Sequence, residues 1–369
     1  MNAAKASYSY TLSPTGNRTG AVESSGRVVN WSYDNIYRLT NEAISLDPHS
    51  VNGSVGYGLD PVGNRQSQTS SIPGIGTGSF TYDPDDRLNT ETYDANGNTL
   101  TSGGKTFTYD FENRLKSMTA GSIAVTIQYD ADGNRVAKTV NGVTTRYLVD
   151  DLNPTGYAQV VEEVTAGAVT RQYTYGLQRI SQNQEIANAW TPAFYGYDGA
   201  GTVRLLTDST GTVTDTYDYD AWGNTVNTTG STPNVYLYRG EQYDSDLNLY
   251  YLRARYLNPL SGRFLGRDPA AGQTKTPATL HKYLYAGGNP VSAIDPSGRG
   301  LIEFVLENTI ARTVVEVLLA YKTLCWFERV ADRLSYVVAE FRYGVSSDDR
   351  PPFVPSGICK PNPYIPPFL

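Results

Sequence analysis

Few side chains in this chain could do chemistry, and their types narrow the options at once. Its 369 residues include two histidines, His49 and His281, so a multi-histidine metal site is excluded. The only thiols are Cys325 and Cys359, which rules out a cysteine-rich zinc site or a disulfide scaffold. Cys325 falls among apolar residues at helical spacing and reads as core, and two lone thiols are a weak redox signal. No metal site and no cofactor are therefore expected. The net charge is −7 and the pI near 5.0, so no basic field exists to hold nucleic acid. What remains is carboxylates. Two Asp-Pro pairs, Asp268-Pro269 and Asp295-Pro296-Ser297-Gly298, stand 27 residues apart. On residue types alone each is an ordinary turn opening. Only the fold could bring the two together.

The elements that would position them are built from a repeat. Its clearest copies are Tyr33-Asp34 to Leu39, Tyr82-Asp83 to Leu88 and Tyr109-Asp110 to Leu115. A second form is Tyr93-Asp94-Ala-Asn-Gly-Asn98 and Tyr129-Asp130-Ala-Asp-Gly-Asn134-Arg-Val136. Looser copies start at Tyr197 and Tyr219, and degenerate ones at Tyr10 and Tyr57. The stretch before each Tyr alternates, as in Val125-Thr-Ile-Gln-Tyr129, and period two means a strand. Asp-x-x-Gly-Asn then supplies a turn, and Arg-Leu or Arg-Val restarts a strand. Each unit is a β-hairpin too small to stand alone, so the copies must pair side by side in a meander. The 29 Tyr and 35 Gly fit strands and turns, with Tyr rings buried in rows and hydroxyls reaching a partner or water. Every Tyr and Arg of the repeats reads as structural.

Two further segments break this rhythm. Residues 234–298 carry Tyr250-Tyr-Leu-Arg-Ala-Arg-Tyr256, Gly262-Arg263-Phe264 and both Asp-Pro pairs. Residues 299–369 differ again. Val314, Leu318, Tyr321, Cys325 and Phe327 recur at helical spacing among charged residues, which predicts two amphipathic helices within 301–343. From Ser346 onward seven prolines predict an extended tail. No apolar run spans a bilayer, and MNAAKASYSY lacks the apolar core of a Sec signal.

The repeats, with Tyr250-Tyr-Leu-Arg-Ala-Arg-Tyr256, Pro259, Gly262-Arg263-Phe264, Asp268-Pro269, Asn289-Pro290 and Asp295-Pro-Ser-Gly298, resemble the Rhs/YD-repeat family. That family includes polymorphic toxins, the C component of insecticidal toxin complexes, and teneurins. The resemblance covers about residues 8–298. It implies a mainly β fold, in which a meander of YD-repeat hairpins spirals into a partial or closed shell; the helical spacing within 301–343 adds a short helical C-terminal segment. It divides the chain into repeats (1–233), an Rhs-associated core that plugs the shell (234–298), and a variable region (299–369).

The resemblance also implies a function. The shell would hold the C-terminal segment as cargo, an effector released when the core cuts its own chain once. Asp268 and Asp295 are the implied catalytic pair, and Arg263 the implied orienting or charge-stabilising residue. Two carboxylates held close cannot both ionise; one would activate water while the other protonates the leaving group. The cut is expected among Gly298, Arg299, Gly300 and Leu301. Arg299 stands where the family often has Leu, and Asp268-Pro-Ala-Ala271 lacks a Gly common in toxin-complex members. Implied partners are a second polypeptide completing the shell and an immunity protein, with no nucleic acid on the shell and no membrane span. The implied location is secreted or at the cell surface. The competing expectation is a non-catalytic, cell-surface or wall-associated adhesion module.

Overall fold

The computed structural model describes residues 4–300 apart from 273, 275 and 276, with backbone alone at 277, 302 and 303. Strands account for 49% of it and helix for 3%, which makes the chain mainly β, as its alternating pattern requires. The helices expected within 301–343, and the proline-rich tail, lie outside the described residues.

The meander runs in strict chain order. Seven strands, from Tyr8–Leu12 to Gly78–Ser79, form one sheet, and fourteen, from Thr92–Tyr93 to Thr225–Thr229, form another. Each strand pairs antiparallel with its sequence neighbours, as in Ile123–Tyr129 with Arg135–Val140. In most units the register slips by one residue at the Tyr, for example between Gln128 and Tyr129 and between Ser32 and Tyr33. That bulge turns the chain into the Asp loop.

The loop chemistry explains why the motif reads as it does. Oδ1 of Asp130 accepts the backbone N–H of Asp132 and of Asn134, at 3.0 and 2.8 Å. Its Oδ2 accepts the amide of Asn134 at 3.1 Å. Where the fifth loop residue is Arg, its Nε takes over: Arg38 to Asp34 and Arg114 to Asp110, each at 2.7 Å. The fourth position is left-handed throughout. It is Gly133 at φ +85 in one form, and Tyr37, Asp86 or Asn113 at φ near +60 in the other. In several units the Tyr hydroxyl ties the unit to the one before. Tyr33 donates to the Arg18 carbonyl, Tyr82 to Arg65, Tyr129 to Leu115, and Tyr197 to Arg179. The hydroxyls of Tyr109 and Tyr219 are buried without such a bond.

Residues 242–264 form a separate four-stranded sheet, Gln242–Asp244, Leu249–Leu252, Arg255–Asn258 and Arg263–Phe264. It packs on the loops of the repeats. Leu247, Leu249, Tyr256 and Leu265 share a core with Phe107, Met118, Val125 and Ile127 of the long sheet. Tyr250 and Tyr285 join a second core with Leu39, Val55, Leu206 and Trp222. Arginines of the repeats clasp the segment as well. Arg135 bonds Asp244, Gln242 and the Tyr256 hydroxyl, with its guanidinium 4.3 Å from the Tyr251 ring. The Tyr283 hydroxyl reaches the Gly97 carbonyl, and Tyr250 the Gly223 carbonyl. The segment is thereby fixed from several loops at once, and this rigidity carries to the residues it presents.

Candidate functional site at the exit turn

The strands Leu249–Leu252 and Arg255–Asn258 are joined by a two-residue turn, with Arg253 left-handed at φ +56. Arg253 within this bend and Arg255 just after it both point at the segment that leaves the core. That segment is a second hairpin. Ala293 pairs with Glu303 and Ile294 with Ile302, so the chain doubles back after Ile294.

The first bend grips the second through successive carbonyls. The Arg253 guanidinium donates to the Pro296 carbonyl, the Ala254 N–H to Ser297 at 3.2 Å, and Arg255 Nε to Gly298. Gly298 has φ +67, and a Cβ there would collide with the Leu252 carbonyl oxygen. Only glycine fits this close approach.

Asp268 and Asp295 meet at this grip. Arg255 Nη2 lies 2.9 Å from Asp268 Oδ2 and 3.1 Å from Asp295 Oδ2. Sharing one nitrogen, the two oxygens are at most about 6 Å apart. Arg255 Nη1 donates to the Lys282 carbonyl at 3.2 Å, and its guanidinium carbon sits 3.6 Å from the centre of the Phe264 ring. The two carboxyls differ in surroundings. Asp295 is deeply buried, its side chain 4% exposed against 15% for Asp268. Burial pushes the Asp295 carboxyl up from its ordinary range, opposed by Arg255 and by hydrogen bonds from Gly300 and Ser297. Burial likewise pulls the Arg255 guanidinium down, while both carboxylates push it back; it stays charged at neutral pH. Its charge does what a shared proton must otherwise do, offsetting repulsion between the carboxylates.

The remaining oxygen of Asp295 faces the exit chain. Oδ1 accepts the N–H of Arg299 at 3.1 Å and of Gly300 at 3.0 Å. Asp268 Oδ1 accepts the Ala270 N–H at 2.8 Å. The arrangement thus sets one carboxyl on the nitrogens of two successive peptide bonds and a second, more exposed carboxyl nearby. That is the equipment of acid–base hydrolysis, and also of a neutralised structural lock.

The expected residues divide accordingly. Asp268, Asp295, Gly298, Arg299 and Gly300 come together, while Leu301 lies outside the described residues. Arg263 stands apart from them. Its guanidinium donates to Asn64 Oδ1 at 2.8 Å and to the Asp86 carbonyl, between the rings of Tyr82 and Tyr283. It fastens the core to the repeat loops. The charge that meets the carboxylates is Arg255, which sits in the same Tyr250–Tyr256 run. Its signal was placement: side chains flanking a tight hairpin turn share its mouth. His281 is a further buried support. Its Nδ1 accepts the N–H of Tyr283 and Leu284, each at 3.1 Å, leaving Nε2 to donate to Asn64 Oδ1 at 2.9 Å.

Comparison with known proteins bears on the fold. Residues 8–291 match the Teneurin YD-shell family. The chain belongs to that family of YD-repeat shell proteins. It is 35% identical over 277 residues to the tRNA nuclease WapA of Bacillus subtilis, a match covering 71% of this chain and 12% of WapA. It is 27% identical over 248 residues to the double-stranded DNA deaminase toxin A of Burkholderia cenocepacia, covering 59% of this chain and 17% of that protein. The crystal structure of TcdB2-TccC3-Cdc42 superposes with a TM-score of 0.64 at 19% identity, over 80% of this chain and 17% of that one, and so shares the fold. The chain spans less than a fifth of each. Its sheets are YD-shell sheets, and no helix among the described residues is long and apolar enough to cross a membrane.

Proposed function

We propose that this chain is the end portion of an Rhs-type toxin shell, whose core cuts the chain once to free a C-terminal effector. The observation that carries this is the meeting of Asp268 and Asp295 on one arginine, against the turn through which the chain leaves the core. The relatives named as nuclease and deaminase toxins support it. In this reading residues 1–233 are wall, 234–298 the plug and cutter, and 299–369 the cargo. A second polypeptide completes the shell, an immunity protein meets the effector, and the particle works outside the cell or at its surface.

The chemistry assigns one role to each carboxyl. Asp268, the more exposed, is the base that takes a proton from water. The resulting hydroxide attacks a carbonyl carbon of the exit turn. Asp295, pushed towards its protonated form by burial against the opposing charge of Arg255, gives its proton to the departing nitrogen once hydroxide attack has made the carbon tetrahedral and freed the nitrogen lone pair. The C–N bond breaks, water is consumed, and a carboxylate and an amine remain. Because Asp295 Oδ1 faces the nitrogens of Arg299 and Gly300, the candidate bonds are Gly298–Arg299 and Arg299–Gly300.

The test is a time course on purified full-length chain, read on a denaturing gel. Wild type should split off a piece of about 70 residues. Asp268→Asn and Asp295→Asn keep shape but remove the titrating group, and each should slow splitting by a factor on the order of 10² or more. Equal survival of intact chain in all three would support the other reading, a non-catalytic adhesion or wall module. The observation favouring that second reading is the ion pairing of both carboxylates with Arg255.

A further inference from the structure

We propose that Arg255 is the positioning residue of this core: one guanidinium fixes both carboxylates against the exit turn and sets the charge at which they work. The inference rests on the self-cleaving reading above and adds a residue that the repeat and Asp-Pro motifs do not single out.

A structural anchor needs one strong partner. Arg255 makes contacts in four directions, with Nη2 on Asp268 and Asp295, Nη1 on the Lys282 carbonyl, Nε on the Gly298 carbonyl, and its face on Phe264. Each contact lies on a different part of the site. Phe264 and Lys282 fix the plane of the fork. Nε fixes the register of the exit turn. Nη2 then takes one oxygen from each carboxyl and leaves the other oxygen of each to other partners. Asp295 Oδ1 is thereby turned towards the nitrogens of Arg299 and Gly300. A lysine, a point charge without a planar fork, could hold one carboxylate but not this whole set.

The second half of the role is electrostatic. A full positive charge sits about 3 Å from both carboxyls, and on Asp295 it opposes the upward push of burial. Other charged or titratable groups surround the site: Arg253, Glu241 and Lys282 of the core, Arg299 on the exit turn, and Tyr157 and Tyr285 beside Asp295. Arg253 is paired with Glu241 at 3.0 Å, and the Lys282 ammonium donates to the Ala270 and Ala271 carbonyls. Arg255 is the cation in contact with both carboxylates, so its removal should let Asp295 titrate at higher pH.

The experiment compares wild type, Arg255→Lys, Arg255→Gln and Asp268→Asn as full-length chains, measuring the splitting rate across pH 4–9. Far-ultraviolet circular dichroism confirms the fold of each. Arg255→Lys should split about 10-fold slower with its pH profile in place, because charge is kept and the fork is lost. Arg255→Gln should split about 10²-fold slower, with its profile moved to higher pH. A merely structural role would slow both variants without moving either profile, and that result overturns the proposal. So would an Arg255→Gln rate equal to wild type while Asp268→Asn is inactive; in that case the self-cleaving reading survives alone. Wild type that never splits at any pH overturns both. If Arg255→Gln does not fold, Arg255→Lys still decides: an unchanged rate refutes the need for the fork.

Discussion

At the level of single residues, the YD motif is a device for closing a bulged hairpin with its own side chains. The Asp carboxylate replaces backbone partners that the loop would otherwise lack, and the residue four positions on secures it from the side. Asp130→Ala removes three hydrogen bonds, to the N–H of Asp132 and Asn134 and to the Asn134 amide. It should cost about 1–3 kcal/mol, read as a lower urea midpoint. A different residue governs pH response. Glu42 is fully enclosed, accepting the Trp31 indole N–H at 3.0 Å and the Ala221 N–H at 2.8 Å. Burial, with Asp220 nearby, pushes its carboxyl up to about 7 from an ordinary 4.5. Between those values the native chain holds a proton that the unfolded chain has released, so stability should fall as pH rises through this window. Glu42→Gln should flatten that fall in thermal melts at pH 5 and pH 8. His281 acts with the opposite sign. Burial, with Arg263 beside it, lowers it to about 4 from 6.5, so acidification through that range destabilises the native state.

At the level of elements, two tight hairpins facing each other make the site. The turn at Arg253-Ala254 supplies donors, and the turn at 295–300 supplies carbonyls and the Asp295 carboxyl. Gly298 is where they touch. Gly298→Ala meets the Leu252 carbonyl and an unfavourable φ, and should loosen the exit turn by about 1–3 kcal/mol. Its reporter is faster hydrogen exchange at the Arg299 and Gly300 amides. The repeat arginines hold the whole core in place. Arg135→Ala strands Asp244, side chain 1% exposed, with Lys138 as its remaining ion pair, and should cost about 3–5 kcal/mol in chemical denaturation.

The strands and loops are legible in the sequence because period-two alternation and Asp-x-x-Gly are local signals, each needing only a handful of neighbouring residues. The meeting of Asp268 with Asp295 carries no local signal and is reached through family resemblance. Arg263 is expected beside the pair because it adjoins Phe264 in a recognisable motif. Alternation along Arg263-Phe264 instead aims it at Asn64 and Asp86 of the repeats. Arg255 escapes a reading of motifs because its partners are 13, 40 and 43 positions away, at Asp268, Asp295 and Gly298, and only the sheet order brings them near.

At the level of the whole molecule, the repeat sheets and the core stabilise each other through two shared hydrophobic clusters. Residues 4–303 should therefore fold in the absence of residues 304–369. Chain ended after Glu303 should keep a β-type circular dichroism spectrum and a cooperative melt; loss of soluble protein would refute that independence. Tyr8–Leu12 and Gly78–Ser79 are the edge strands of one sheet and Thr92–Tyr93 and Thr225–Thr229 of the other, each paired on one side only within its own sheet.

The central claim is that this core cuts the chain where Asp295 meets it. Mass spectrometry of the fragments released by wild-type full-length protein tests it most directly. The account predicts a C-terminal fragment beginning at Arg299 or Gly300, absent from Asp295→Asn. A fragment beginning elsewhere, or the same fragment persisting in Asp295→Asn, would contradict it.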